Sequence, residues 1–215
     1  MQKKAITLIY GTGNAGTLDL MRHYLSTLQE IRLLGLKDLP FCWGEIEECG
    51  KDPLENARQK ALAYYRICGQ PVFSQDSGLY IEGLPKERQP GVHVRRVNGV
   101  NLTDEQMRKY YKKIAAEFGG RCVAQYQNAI CLVFSENEIY EARGGALNWK
   151  KFWLMTEERP QRMEGFPLDA ICADYRTGRH FYDGEATMPE EEGDGVRDFF
   201  RNALKQHEMR NKIEK

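Results

Sequence analysis

Asp76 stands in the stretch FSQDSGLYI (73–81), between two short apolar pieces, with Gln75 before it and Ser77-Gly78 after it. An ionised carboxylate can hold a hard cation or accept a proton from water. The same Asp-Ser-Gly triplet also suits a turn, because Asp and Ser bond nearby amides and Gly accepts positive φ. Glu45, Glu47 and Glu48 cluster upstream in WGEIEECG. One carboxylate from each of two neighbouring segments can share a Mg²⁺ ion, which takes few protein oxygens and completes its shell with substrate phosphates. A solvated acidic loop accounts for the same glutamates. A third group is GTGNAG (11–16). A glycine-rich turn between strand and helix points amides and the positive helix end at an anion, and Thr12 and Asn14 add donors. It lacks the Gly-Lys-Ser/Thr of a Walker loop, and a plain tight turn explains it as well.

Elements must hold these residues. Ala5 to Tyr10 (AITLIY) is a near-continuous apolar run ended by Gly11, as in a strand buried on both faces. Beyond the glycines, Leu18, Met21, Leu25 and Leu28 recur at helical spacing. A second helix opens at Asp52-Pro53-Leu54-Glu55, where Asp52 caps, Pro53 takes the first turn and Glu55 completes a capping box. It runs to about Cys68 with Ala57, Ala61 and Tyr64 or Tyr65 inward, and Pro71 then leads into the Asp76 strand. TDEQ (103–106) predicts a further capped helix with Met107, Tyr110, Ile114 and Phe118 on one face. Cys122 to Phe134 reads as a long strand pairing back with Ile139 to Arg143, the region 144–193 reads as irregular, and a last helix spans Gly195 to about Lys212.

Composition bounds the partners. Thirty-one basic residues balance thirty-one acidic ones, so no net field draws nucleic acid, and any anion must be met by local donors. None of the six cysteines forms a C-x-x-C pair, which argues against a zinc or redox motif and for reduced thiols. No stretch has the length of a membrane span or the pattern of a signal peptide, so a soluble, cytoplasmic protein is expected.

In this order, the pieces resemble the inosine triphosphate pyrophosphatase family, hydrolases of deaminated purine nucleotides. That family's Ser/Thr-Gly-Asn loop corresponds to Thr12-Gly13-Asn14, continuing to Thr17. Its Glu-Glu-x-Gly segment and Glu-Asn-Ala-x-x-Lys-Ala helix correspond to Glu47-Glu48-Cys49-Gly50 and to Glu55 through Ala61. Its Asp-Asp-Ser-Gly-Leu corresponds to Gln75 through Leu79, and its Pro-Gly-Val and Arg to Pro90-Gly91-Val92 and Arg96. The base-pocket segment Gly-Phe-Gly-Tyr-Asp matches Gly165 through Asp169, and Ser-His-Arg matches Gly195-Val196-Arg197.

The resemblance implies one α/β domain over residues 1–215, an elongated twisted mixed sheet in two lobes flanked by helices, with the ligand cleft between the lobes. It implies Mg²⁺-dependent hydrolysis of inosine- or xanthosine-type triphosphates to monophosphate and pyrophosphate, in a homodimer. Asp76 then serves as catalytic residue and metal ligand and Glu48 as the second ligand. Thr12, Gly13, Asn14, Thr17 and Ser77 bind the phosphates, and Phe166, Asp169 and Arg197 bind the base. Arg197 carries only donors, so it can bond a purine carbonyl but not an amino group. Phe166 would stack on the base or fill the core.

Five positions depart from the pattern. Thr17 replaces a lysine, Glu191 falls near another lysine, Leu168 replaces an aromatic, Val196 a histidine and Gln75 an acid. Arg22, Arg143, Lys150 and Lys151 are the candidate replacement cations. Two further functions are therefore open: a nucleotide-binding or sensing protein with little catalysis, and a hydrolase of another phosphorylated metabolite. The aromatic segment NWKKFW (148–153) fits an interface, a lid or the core.

Overall fold

An apolar run can be a doubly buried strand only if neighbours pair with it on both sides and helices cover both faces. The computed structural model describes residues 5–40, 43, 44, 46–183 and 193–213; Glu45 and Glu191 lie outside them. In chain order the elements begin with β1 (Ile6–Tyr10), α1 (Ala15–Leu25), β2 (Ile31–Gly35), α2 (Pro53–Cys68) and β3 (Val72–Ile81). Next come β4 (Arg96–Val97), β5 (Val100–Asn101), α3 (Asp104–Glu117), β6 (Arg121–Ser135) and β7 (Glu138–Arg143). Last are β8 (Phe152–Met155), β9 (Cys172–Asp174) and α4 (Asp194–Ile213). Seven strands form one mixed sheet in the order β2-β1-β3-β6-β8-β9, with β7 also on β6. This is the helix-flanked α/β class expected from the sequence.

The chain divides into two compact units, one of Met1–Asp76, Asn128–Leu147 and Pro189–Lys215, the other of Ser77–Gln127 and Asn148–Met188. In the first, β1 lies between β2 and β3 and is parallel to both, with Tyr10 opposite Gly35 on one side and Phe73 on the other. Parallel neighbours need crossover connections, which α1 and α2 provide. Leu8, Ile9 and Tyr10 are at most 1% exposed. Asn14 caps α1 through Thr17 N–H, and Asp52 caps α2 through Glu55 N–H. Glu55 reaches back to the amide of Lys51 rather than to that of Asp52, a variation on the expected capping box. Gly69, at φ 61°, ends α2 in the left-handed region. Alternate residues of β3 face opposite sides of the sheet. Phe73 stacks on Tyr10 and meets Phe200 of α4 edge-on, whereas Ser74 bonds the Gly11 carbonyl.

In the second unit, β6 pairs antiparallel with β8, and β8 with β9. Both β8 and β9 lie in the region read as irregular. The core gathers Leu79, Ile81, Met107, Tyr111, Ile114 and Leu154. The buried face of α3 is therefore Met107-Tyr111-Ile114, while Phe118 caps the helix and is 38% exposed, against the expected face. Asn98 and Gly99, both at positive φ, turn the short β4–β5 hairpin. The stretch 73–81 is strand throughout, so the turn reading of Asp76-Ser77-Gly78 is overturned. Gly78 is required there by packing: a Cβ would meet the backbone of Gly91 at 3.2 Å, while Leu79 and Gly91 exchange backbone hydrogen bonds.

Candidate active site

In an open parallel sheet, ligands bind beyond the carboxyl ends of adjacent strands whose connections leave in opposite directions. Within the first unit that point lies between β1 and β3, since the chain steps from β1 to β2 on one side and returns to β3 on the other. The loop 11–14 continues β1, and Asp76 lies three residues past the Tyr10–Phe73 pairing.

Three successive amides fix the acidic loop on α2. Those of Cys49, Gly50 and Lys51 donate to the side chains of Gln59 (3.2 Å), Asn56 (2.8 Å) and Glu55 (2.7 Å). Gly50 has no room for a side chain, since a Cβ would stand 2.4 Å from Asn56 Oδ1. Asn56 is buried, and its amide works at both ends: Oδ1 accepts from Gly50, while Nδ2 donates to Asp76 Oδ2 at 3.1 Å. One turn later, Lys60 Nζ lies 3.0 Å from Asp76 Oδ1 and 3.2 Å from Glu48 Oε1. The structure thus brings Asp76 and Glu48 onto one cation position, filled by Lys60. The sequence reading placed Asn56 and Lys60 in the family's Glu-Asn-Ala-x-x-Lys-Ala helix but gave neither a role; they lie one turn apart on α2.

Burial pushes the Asp76 carboxyl above its ordinary value, with Lys60 and Asn56 pulling against it. Burial pulls Lys60 down, but Asp76 and Glu48 outweigh it and the ammonium ends above its usual value. The lysine is therefore charged at neutral pH. Among the described residues no group of three His, Cys, Asp or Glu side chains could hold a metal. Two carboxylates aimed at one cation position still fit an ion such as Mg²⁺, which draws its other oxygens from phosphates and water.

The phosphate loop is partly self-satisfied. Thr12 Oγ1 accepts the Asn14 amide and Asn14 Oδ1 accepts the Thr17 amide, both at 3.2 Å. The amides at Gly13, Ala15 and Gly16 have no partner among the described residues. Gln75 neighbours Asp76 on a strand and so projects from the opposite face; its Oε1 is buried and has no partner among the described residues. Arg197, in the first turn of α4, donates to the Tyr24 carbonyl at 3.4 Å and pairs with Asp194. Two expected replacement cations are engaged elsewhere, Arg22 with Asp19 and Asp38 and Lys151 with Glu82. Arg143 pairs with Asp52 at 3.5 Å.

A family model described as the Ham1 family matches residues 8–148. The chain belongs to the Ham1 family. A dITP/XTP pyrophosphatase of Nitratidesulfovibrio vulgaris is 38% identical over 185 residues, covering 81% of this chain and 83% of that protein. Those of Geobacter sulfurreducens and Deinococcus deserti are 39% identical over 98 residues and 32% over 143. Those matches take in 46% and 66% of this chain, which spans about half of the Geobacter protein (47%) and 64% of the Deinococcus one. The fold is shared with the HAM1 protein of Coxiella burnetii, at TM-score 0.66 and 23% identity over 94% of this chain and 99% of that one. It is shared also with the Staphylococcus aureus Ham1 protein, at TM-score 0.60 and 21% identity over 97% and 100%.

Of the remaining family positions, Ser77, Phe166, Leu168 and Asp169 lie in the second unit and Val196 in the first. Ser77 follows Asp76 on β3, half-buried. Phe166 stacks on Trp149 at 6.3 Å, and Trp149 meets Tyr126 edge-on at 5.1 Å. Of the aromatic segment 148–153, Trp149 joins this column, Phe152 is core, and Trp153 packs under Arg121. Burial alone lifts Asp169 to about 7. Leu168 and Val196, where the sequence departs from the family pattern, are each 3% exposed, so both belong to packed cores.

Proposed function

We propose that this chain hydrolyses nucleoside triphosphates of deaminated purines to monophosphate and pyrophosphate. The observation that carries the reading is the convergence of Asp76, Glu48 and Lys60 at the β1–β3 switch point of a Ham1 fold. Three relatives named dITP/XTP pyrophosphatase support the substrate class. Water attacks the α-phosphorus, Asp76 takes its proton, and the bond to the β-phosphate oxygen breaks to release pyrophosphate. Asn56 holds the Asp76 carboxylate in orientation for this transfer. The open amides of Gly13, Ala15 and Gly16, with Thr12, Asn14, Thr17 and Ser77, meet phosphate oxygens. Glu48 and Asp76 would hold Mg²⁺, which supplies charge neutralisation on the phosphates and lowers the pKa of bound water. Phe166, Asp169 and Arg197 are assigned to the base by their match to the family's base-pocket segments alone. A homodimer belongs to the same proposal, and a single-chain mass by light scattering would overturn that part.

The test is pyrophosphate release with Mg²⁺ from inosine, xanthosine, guanosine and adenosine triphosphates. Release from the first two, lost by about 10³-fold or more in Asp76→Asn with the fold intact, is the expected outcome. Thermal stabilisation by nucleotide without turnover would instead support a sensing protein, a reading that the loss of a lysine at Thr17 favours. Turnover of other phosphate esters alone would sink both.

A further inference from the structure

Resting on that pyrophosphohydrolase reading, we propose that Lys60 is a tethered counter-ion: it bridges the Asp76 and Glu48 carboxylates and leaves them for the incoming phosphates. Metal and nucleotide then bind as a coupled pair rather than independently. Lys60 Nζ bridges Asp76 Oδ1 and Glu48 Oε1 at 3.0 and 3.2 Å, the two oxygens that would hold the metal. The other Asp76 oxygen is occupied by Asn56. An ion taking both bridged oxygens at about 2.1 Å would stand within a few ångströms of the ammonium, and the like charges repel. Lys60 and the metal therefore compete for one position.

The backbone at Lys60 cannot move to resolve this. Ala57 and Ala61 of the same helix are fully buried, and the side chain is 14% exposed. The flexible four-carbon stem can move instead, provided the ammonium finds another anion. A triphosphate is that anion, so nucleotide frees the carboxylates, and by linkage metal tightens nucleotide in equal measure.

Mn²⁺ binding followed by electron paramagnetic resonance tests this without turnover. The nucleotide-free protein should bind Mn²⁺ weakly, and Lys60→Met should bind it about tenfold tighter or more, as loss of one adjacent positive charge implies. Adding the α,β-methylene analogue of inosine triphosphate should tighten Mn²⁺ in the natural protein, and by clearly less in Lys60→Met. Thermal melting establishes folding, with Lys60→Gln as a second variant. Asp76→Asn combined with Lys60→Met should lose the gain. Unchanged or weaker Mn²⁺ binding in both Lys60 variants, or equal tightening by the analogue with and without Lys60, would overturn the proposal. Pyrophosphate release without the Lys60 effect would leave the hydrolase reading standing and remove this one. The Lys60 effect without release would do the reverse.

Discussion

Asp169 and Asp76 are both lifted by burial, with different consequences. Burial lifts Asp169 from 3.8 to about 7, with no compensating charge among the described residues. Its neutral form is the stable one in the fold, so its contribution is complete below about pH 3.8 and is lost as pH rises through 7. The loss is at most about 4 kcal/mol, three pH units at about 1.36 kcal/mol each. Asp169→Asn should therefore raise the melting temperature at pH 8 and barely change it at pH 4; equal shifts at both would disprove the assignment. Burial displaces the Asp76 carboxyl upward, so the acid limb of kcat/KM should be displaced upward too, and a limb displaced below the ordinary aspartate value would exclude it as the base. Asp76 and Glu48 were legible through the family resemblance, since their residue types alone fit a turn and a solvated acidic loop as well. Asn56 and Lys60 were visible as one helix face, but only the sheet decides what that face meets. Gln75 was legible as a neighbour of Asp76, and strand alternation then sends it to the other side.

Among the elements, the loop 48–51 is held to α2 by amides instead of by a core. Gly50→Ala would press a methyl into Asn56 and break the Gly50–Asn56 bond, costing about 1–3 kcal/mol. The expected result is a lower melting temperature together with a larger loss of pyrophosphate release, because Glu48 and Asn56 shift at once. An alanine variant that melts normally and turns over normally would show the loop to be independent. α2 and α3 were legible because Asp52 and Thr103 cap as their residue types dictate, and α1 by the spacing of its apolar residues; its Asn14 cap was not read. β8 and β9 were not, since strands of four and three residues among charges carry no period long enough to read. The β4–β5 hairpin did carry a signal, Asn98-Gly99, which the reading passed over.

At the scale of the whole molecule, neither unit is a continuous piece of chain. The first takes β1 to Asp76, then Asn128–Leu147, then α4. Among the described residues no helix is long and apolar enough to cross a membrane. α4 buries Phe200, Ala203 and Leu204, and Phe200 closes over Phe73. Ending the chain at Asp183 removes all three, and the lost Phe alone is worth about 3–5 kcal/mol. The truncated chain should show no cooperative melting, and a normal transition would refute the dependence. There is a consequence for synthesis. A chain emerging amino end first exposes the Thr12 loop, Glu48, Lys60 and Asp76 before the helix that covers the Tyr10–Phe73 stack has been made. The site must therefore wait, incompletely packed, for the last twenty residues of described chain, and a ribosome stalled before α4 should hold a protein whose reactive groups are all present and whose fold is not.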